Sequence, residues 1–124
     1  MNPPIFYTSL AIYSKQDISD EIERVLEVIP TRTGEKGGTF SWIYSTQGAS
    51  NCHTIEEHLQ LLKSQFYKKT HELNVLSAEM SEIRVWIYFG MEDVNQAFIV
   101  SPELISWLSV FGADVCVDVW SRPQ

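Results

Sequence analysis

The stretch Ile83-Arg84-Val85-Trp86-Ile87-Tyr88-Phe89 alternates Ile83, Val85, Ile87 and Phe89 with Arg84, Trp86 and Tyr88. Successive side chains of an extended strand point to opposite faces, so this run reads as a strand with one apolar face and one face of aromatics and charge. On the C-terminal side, a turn over Gly90 to Asn95 leads to a second predicted strand, Gln96 to Val100, expected to pair with the first as a hairpin. Ser101-Pro102-Glu103 then opens a helix: Ser101 is the N-cap, Pro102 takes the first helical position, and Glu103 sits favourably near the positive end of the dipole. Gly112 closes that helix in a left-handed cap. Ala113 to Trp120 ends the chain as a strand with Val115, Val117 and Val119 on one face and Cys116, Asp118 and Trp120 on the other.

On the N-terminal side, Leu73, Leu76 and Met80 carry a weak helical period that resumes after a break at Lys68-Lys69-Thr70. A stronger helix precedes it, with Ile55, Leu59, Leu62 and Phe66 along one side and Thr54-Ile55-Glu56-Glu57 as a capping box. Residues Gln47 to His53 form a polar loop. In Thr39 to Thr46, Phe40, Trp42 and Tyr44 alternate with Thr39, Ser41 and Ser45, which predicts another strand. The glycine-bearing segment from Thr31 to Gly38 has no period and reads as a surface loop. Before it, Ile18, Ile22, Val25, Leu26 and Ile29 recur at helical spacing, with Asp17 or Ser19 available as N-cap and Pro30 as the stop. Ile5 to Ser14, rich in β-branched and aromatic residues, is the first strand.

These elements predict one α+β domain over residues 1–124 in the order β-α-β-α-(α)-β-β-α-β. The sheet is expected to be mixed or antiparallel with roughly five strands, and the three to four helices to lie mainly on one of its faces. Either the Trp86/Tyr88 set or the Val85/Ile87 set must then face away from the helices. If Trp86 and Tyr88 do so together with Tyr7 or Tyr13, they make a patch suited to protein recognition. Trp42 and Trp107 sit inside apolar periodic runs and are expected in the core.

A length of 124 residues with 44% hydrophobic residues suffices for one ordinary core. Nine basic against 16 acidic residues give a formal net charge of −7, which repels nucleic-acid backbones and anionic membranes and favours a basic protein partner. Cys52 and Cys116 are too few for a disulfide framework, so reduced thiols in a cytoplasm are expected. Met1-Asn2-Pro3-Pro4 shows no secretory pattern, and no apolar run reaches the ~20 residues that span a bilayer.

No motif spells out catalysis, and no catalytic residue, metal site or cofactor is assigned. Cys52, His53 and His58 lack the paired spacing of a closed zinc site, and a loop thiol with solvated histidines is the simpler reading. The lysine of Gly34-Glu35-Lys36-Gly37-Gly38 precedes the glycines and a strand follows it, unlike a phosphate loop. No serine lies in a Gly-x-Ser-x-Gly elbow. The adjacent pairs Glu56-Glu57 and Glu92-Asp93 diverge on a helix or a strand and read as solvating groups.

The order and spacing of several weak signals over Tyr7 to Ser121 resemble the bacterial domain-of-unknown-function family numbered 4279. They are Asp20-Glu21-Ile22 through Val28-Ile29 into Pro30-Thr31, Gly37, Ser41-Trp42, Phe98, Ser101-Pro102-Glu103-Leu104, Gly112-Ala113-Asp114-Val115 and Asp118-Val119-Trp120. Trp120 departs from the tyrosine expected there, so no role carries over to that position. The resemblance implies a small α+β domain without an assigned catalytic site. Families of this kind are often encoded beside polymorphic toxins, which implies by analogy an immunity protein that neutralises a toxin, for instance a basic toxin domain. Contacts are expected from Asp17, Asp20, Glu21, Glu23 and Glu27, from Glu92 and Asp93 at the turn, and from Trp86 and Tyr88. A small-ligand-binding or regulatory domain and an enzyme assembled only in three dimensions remain alternatives, and a homo-oligomer is left open.

Overall fold

The computed structural model describes residues 5–79, 81–91 and 97–121. Along the chain run β1 (Ile5–Ser14), α1 (Ser19–Leu26), β2 (Arg32–Lys36), β3 (Thr39–Ser45), α2 (Ile55–Phe66), a 3-10 turn (Tyr67–Lys69), α3 (Thr70–Glu79), β4 (Ser81–Met91), α4 (Pro102–Val110) and β5 (Asp114–Ser121). The strands form one mixed sheet in the order β2-β3-β1-β4-β5. β1 and β4 pair antiparallel in unbroken register from Ile5↔Gly90 to Ser14↔Ser81, and only β4 and β5 run parallel.

One face of the sheet carries Leu10 and Ile12 from β1, Trp42 from β3 and the Ile83-Val85-Ile87-Phe89 row of β4, all buried. Against it pack Ile22 and Leu26 of α1, Leu59, Leu62 and Phe66 of α2, Leu73 of α3, and Leu104, Trp107 and Leu108 of α4. Each large apolar side chain so buried contributes about 1.5–3 kcal/mol. Trp42 and Trp107 are core residues as expected, at 1% and 4% exposure.

The caps explain where the helices begin and end. Thr54 Oγ1 accepts from Glu57 N–H (3.1 Å), while the Glu57 carboxylate accepts from His53 N–H (3.1 Å), one residue earlier than in a standard capping box. Ser101 Oγ accepts from Leu104 N–H at 3.2 Å, and Gly112 takes a left-handed φ of 65°. α1 stops before Pro30: Glu27 turns left-handed (φ 57°) and its N–H donates to the Glu23 carbonyl at 2.8 Å. Ile29 is therefore off the helix and 83% exposed rather than part of its apolar stripe.

Two expectations are corrected. The Thr31–Gly38 segment contains β2, paired with β3 from Arg32↔Ile43 to Lys36↔Thr39. Gly37 and Gly38 both have positive φ (59° and 84°), the geometry that a two-residue hairpin needs to match the twist of its strands. Ala97 to Val100 is not a strand and forms no hairpin with β4, because β1 and β5 already occupy both edges of β4. Gln96 lies outside the described residues. The fifth strand is thus the early hairpin arm β2.

Candidate functional site

The buried residues of all four helices join the core on one side, and among the described residues the other face of the sheet carries no helix. In register across it lie Tyr7 opposite Tyr88, Ser9 opposite Trp86, Ala11 opposite Arg84 and Tyr13 opposite Glu82. The aromatics form a connected row. Tyr7 stacks on Tyr88 with centroids 4.4 Å apart, Trp86 stacks on Tyr88 at 6.0 Å, and Trp86 Nε1–H donates to the Tyr13 hydroxyl at 3.0 Å. Arg84 lies 5.3 Å from the Tyr13 ring centre and holds Glu82 at 2.8 Å.

Ser9 and Ala11 form the floor of this face and are 1% and 0% exposed although no helix covers them. Trp86 starts opposite Ser9 and reaches Tyr13 past the Ala11 row, so the rings themselves close over the small residues. Ser9 Oγ finds no hydrogen-bond partner among the described residues. Tyr7, Tyr13, Trp86 and Tyr88 remain half-buried, each with part of its ring open to solvent. Burial first, then Tyr88, raises the Tyr7 phenol above its ordinary range against the pull of Arg32. The border is mixed in sign, with Arg32 and Lys36 on the β2 side and Asp114 and Asp118 on the β5 side.

The site residues expected from sequence separate into two groups. Trp86 and Tyr88 come together on the helix-free face, joined by both Tyr7 and Tyr13. Asp17, Asp20, Glu21, Glu23 and Glu27 lie on or beside α1, in the helix layer behind the sheet. Asp17 Oδ1 accepts from Ser19 Oγ (2.7 Å) and N–H (3.2 Å), which lowers its pKa; Lys69 Nζ, 2.9 Å from Glu27 Oε2, lowers that of Glu27. Glu92 and Asp93 lie outside the described residues. Sequence reasoning missed the floor, although its signal is visible: small residues at 9 and 11 stand between tyrosines at 7 and 13 with the same period of two.

His58 is not a solvated histidine. It is 4% exposed on the inner side of α2, with Nδ1 2.8 Å from Thr46 Oγ1. Thr46 Oγ1 accepts from Thr8 N–H at 3.0 Å, and Thr8 Oγ1 donates to the His58 carbonyl at 3.3 Å, so three buried polar residues tie β1 to the start of α2. Burial lowers the His58 pKa, with Glu57 opposing. Burial, then Glu57, raises the Cys52 thiol. Among the described residues no group of three or more His, Cys, Asp or Glu could hold a metal, and no helix is long and apolar enough to cross a membrane.

Concavities also lie off this face, and two of them bear on ligand binding. The void beside Trp42 and Ser41 has a volume of about 10 Å³, room for one water; Trp42 Nε1 has no hydrogen-bond partner among the described residues. A larger open groove of about 650 Å³ runs between the end of α2 and α4, lined by Lys63, Tyr67, Thr70, Pro102, Trp107 and Val110.

Neither a curated protein nor a solved structure matches the chain. A family model does, over residues 4–122. The chain therefore belongs to the family described as a domain of unknown function, DUF4279.

Proposed function

We propose that this protein is a non-catalytic protein-binding domain that uses the helix-free sheet face as its contact surface, and that it acts in the cytoplasm as an immunity protein neutralising a cognate bacterial toxin. The observation that carries the binding reading is the half-buried, connected row Tyr7, Tyr88, Trp86 and Tyr13. Stacking and the Trp86–Tyr13 hydrogen bond fix these rings before any partner arrives, so little side-chain entropy is lost on contact. Large rigid aromatics are also the side chains that dominate binding energy when a partner excludes water from them.

The net charge of −7 supports a basic partner. Because the acidic groups of α1 stand behind the sheet, they act on such a partner through long-range steering rather than by touching it. The two free cysteines agree with a reducing compartment. The toxin part of the reading rests on the habit of such families to sit beside toxin genes.

The test mixes the purified protein with the toxin encoded next to it. A stable complex and loss of toxin activity are expected, and a Trp86→Ala or Tyr88→Ala substitution should weaken the complex by about 30-fold or more. A toxin that stays active in excess of the protein sinks the immunity role; a complex indifferent to both substitutions moves the contact surface elsewhere.

The groove between α2 and α4 favours a second reading, a small-ligand-binding domain. Its volume of about 650 Å³ falls within the usual range for ligand sites, and it joins the exposed Tyr67 and the Trp107 side chain to the Lys63 ammonium. The expected ligand is an apolar molecule with a single anionic group for Lys63, since Glu103 also lines the groove and repels further negative charge. Titration with anilinonaphthalene sulfonate should change indole fluorescence and weaken on Lys63→Ala; an unchanged titration curve in that variant removes this reading.

A further inference from the structure

β5 is an edge strand, and its register on β4 sets Val115, Val117 and Val119 level with Val85, Ile87 and Phe89, on the side where the helices lie. The β4 residues are 1%, 0% and 3% exposed, whereas the valines are 46%, 48% and 55% exposed. The sheet's core-facing side therefore runs one strand beyond the helices that cover it. α4, the crossover between β4 and β5, turns its Trp107 side to α3, where Trp107 Nε1–H donates to Thr70 Oγ1 at 2.8 Å. About 100° per residue puts Ile105 on the opposite flank, and it is 54% exposed.

Natural sheets blunt an exposed edge with charge, proline or a bulge. The other edge of this sheet, β2, does so, with Arg32, Glu35 and Lys36 exposed in a strand exposed throughout. β5 between Val115 and Val119 has no proline and no charge on its valine side.

The charges on its other side restrict how β5 can meet a second β5. Two antiparallel copies share a two-fold axis normal to the sheet, so like faces meet and only registers that shift by two residues are open. With Val117 opposite itself, Val115 faces Val119, Cys116 faces Asp118 and Asp114 faces residue 120. One step one way places Asp114 opposite Asp118 and Cys116 opposite itself; one step the other way places Asp118 opposite itself. Like charges directly opposite are destabilising, so the Val117-centred register is the one that combines a full valine ladder with no facing aspartates.

We infer that β5 is a self-pairing edge: two copies of this chain join β5 to β5 antiparallel about an axis at Val117, continuing one sheet through both molecules. The valine ladder is then buried under the Ile105 flanks of the two α4 helices. Because the axis is normal to the sheet, both helix-free faces point the same way, and the inference stands whether or not that face binds a toxin.

Sedimentation across the micromolar range should give a species of twice the 14.2 kDa chain. Val117→Lys, at a site already half-exposed in the single chain, should keep the far-ultraviolet spectrum and give the single-chain mass. Val117→Thr, which keeps a β-branched side chain, should raise the dissociation constant by about tenfold or more. In a Cys52→Ser, Cys116→Ser background, Val117→Cys should form a covalent dimer on mild oxidation, since residues opposite each other lie within disulfide reach. A single-chain mass for the unaltered protein at every concentration overturns the inference. So does a dimer that survives both Val117→Lys and Val117→Thr, or cross-linking through native Cys116 with none through residue 117.

Discussion

At the residue scale, His58 and Ser9 each hold a polar group in the interior, one hydrogen-bonded and one without a partner among the described residues, and each has a measurable consequence. Burial in the fold lowers the His58 pKa, while in the unfolded chain the ring takes up a proton near its ordinary value of 6.5. Below about 6.5 the unfolded state binds more protons, so stability is complete above that pH and falls as pH drops through the lowered folded value. Urea unfolding at pH 7 and pH 5 should show this loss, and His58→Gln should flatten it. The carboxyls of Glu27 and Glu57 contribute only further down, from their ordinary value of 4.5, so the windows separate. Ser9→Ala removes an unpartnered buried hydroxyl and should raise the unfolding free energy by about 1 kcal/mol at an unchanged denaturant slope. A loss of stability in that variant would mean that the hydroxyl has a partner. Neither burial was legible from sequence. A histidine one turn into a helix of alternating polarity looks solvated, and only the crossing of α2 over Thr8 and Thr46, distant in the chain, shows otherwise.

At the element scale, strands whose two faces differ were readable and strands exposed on both faces were not. β3, β4 and β5 announce themselves by alternation and β1 by its β-branched and aromatic residues; α2 and α4 show both cap and stripe, α3 a weak period, and α1 a stripe alone, its N-cap being Ile18 rather than the expected Asp17 or Ser19. β2 has no apolar face because it buries none, so its five residues carried no periodic signal. What did carry it was Gly37-Gly38, a pair suited to a tight hairpin, which reads as a mere loop unless the flanking residues are allowed to be polar strands. The opposite error arose at Gln96 to Val100, where local apolar character suggested a strand although β4 already has two neighbours. Parallel pairing with β5 is a long-range choice that no local pattern reveals. The hairpin offers a direct check. Gly38 has a φ of 84° with nothing within 4 Å of a built Cβ, so Gly38→Ala costs conformational energy alone, about 1 kcal/mol. Amide exchange in β2 should speed up while that of the central β1–β4 ladder stays unchanged; equal acceleration in both would show the sheet opening as one unit.

At the scale of the whole molecule, charge and shape are divided between two sides. The expected acidic contacts of α1 and its entry sit in the helix layer and the aromatic contacts on the bare sheet, a separation invisible in the linear sequence. Reversing the charges of Asp20, Glu21 and Glu23 should therefore slow association with a basic partner and reduce its salt dependence, while leaving the dissociation rate nearly unchanged. Stopped-flow association at two ionic strengths measures this, and a faster dissociation instead would place α1 inside the contact. The two margins of the sheet differ just as sharply as its two faces. Arg32, Glu35 and Lys36 on β2 make that margin unreceptive to another strand, so pairing at the valine margin leaves no second adhesive border on which a third molecule could add. Two sticky margins would let such a molecule polymerise into ribbons; with charges along β2, the self-pairing inferred for β5 would end at two copies.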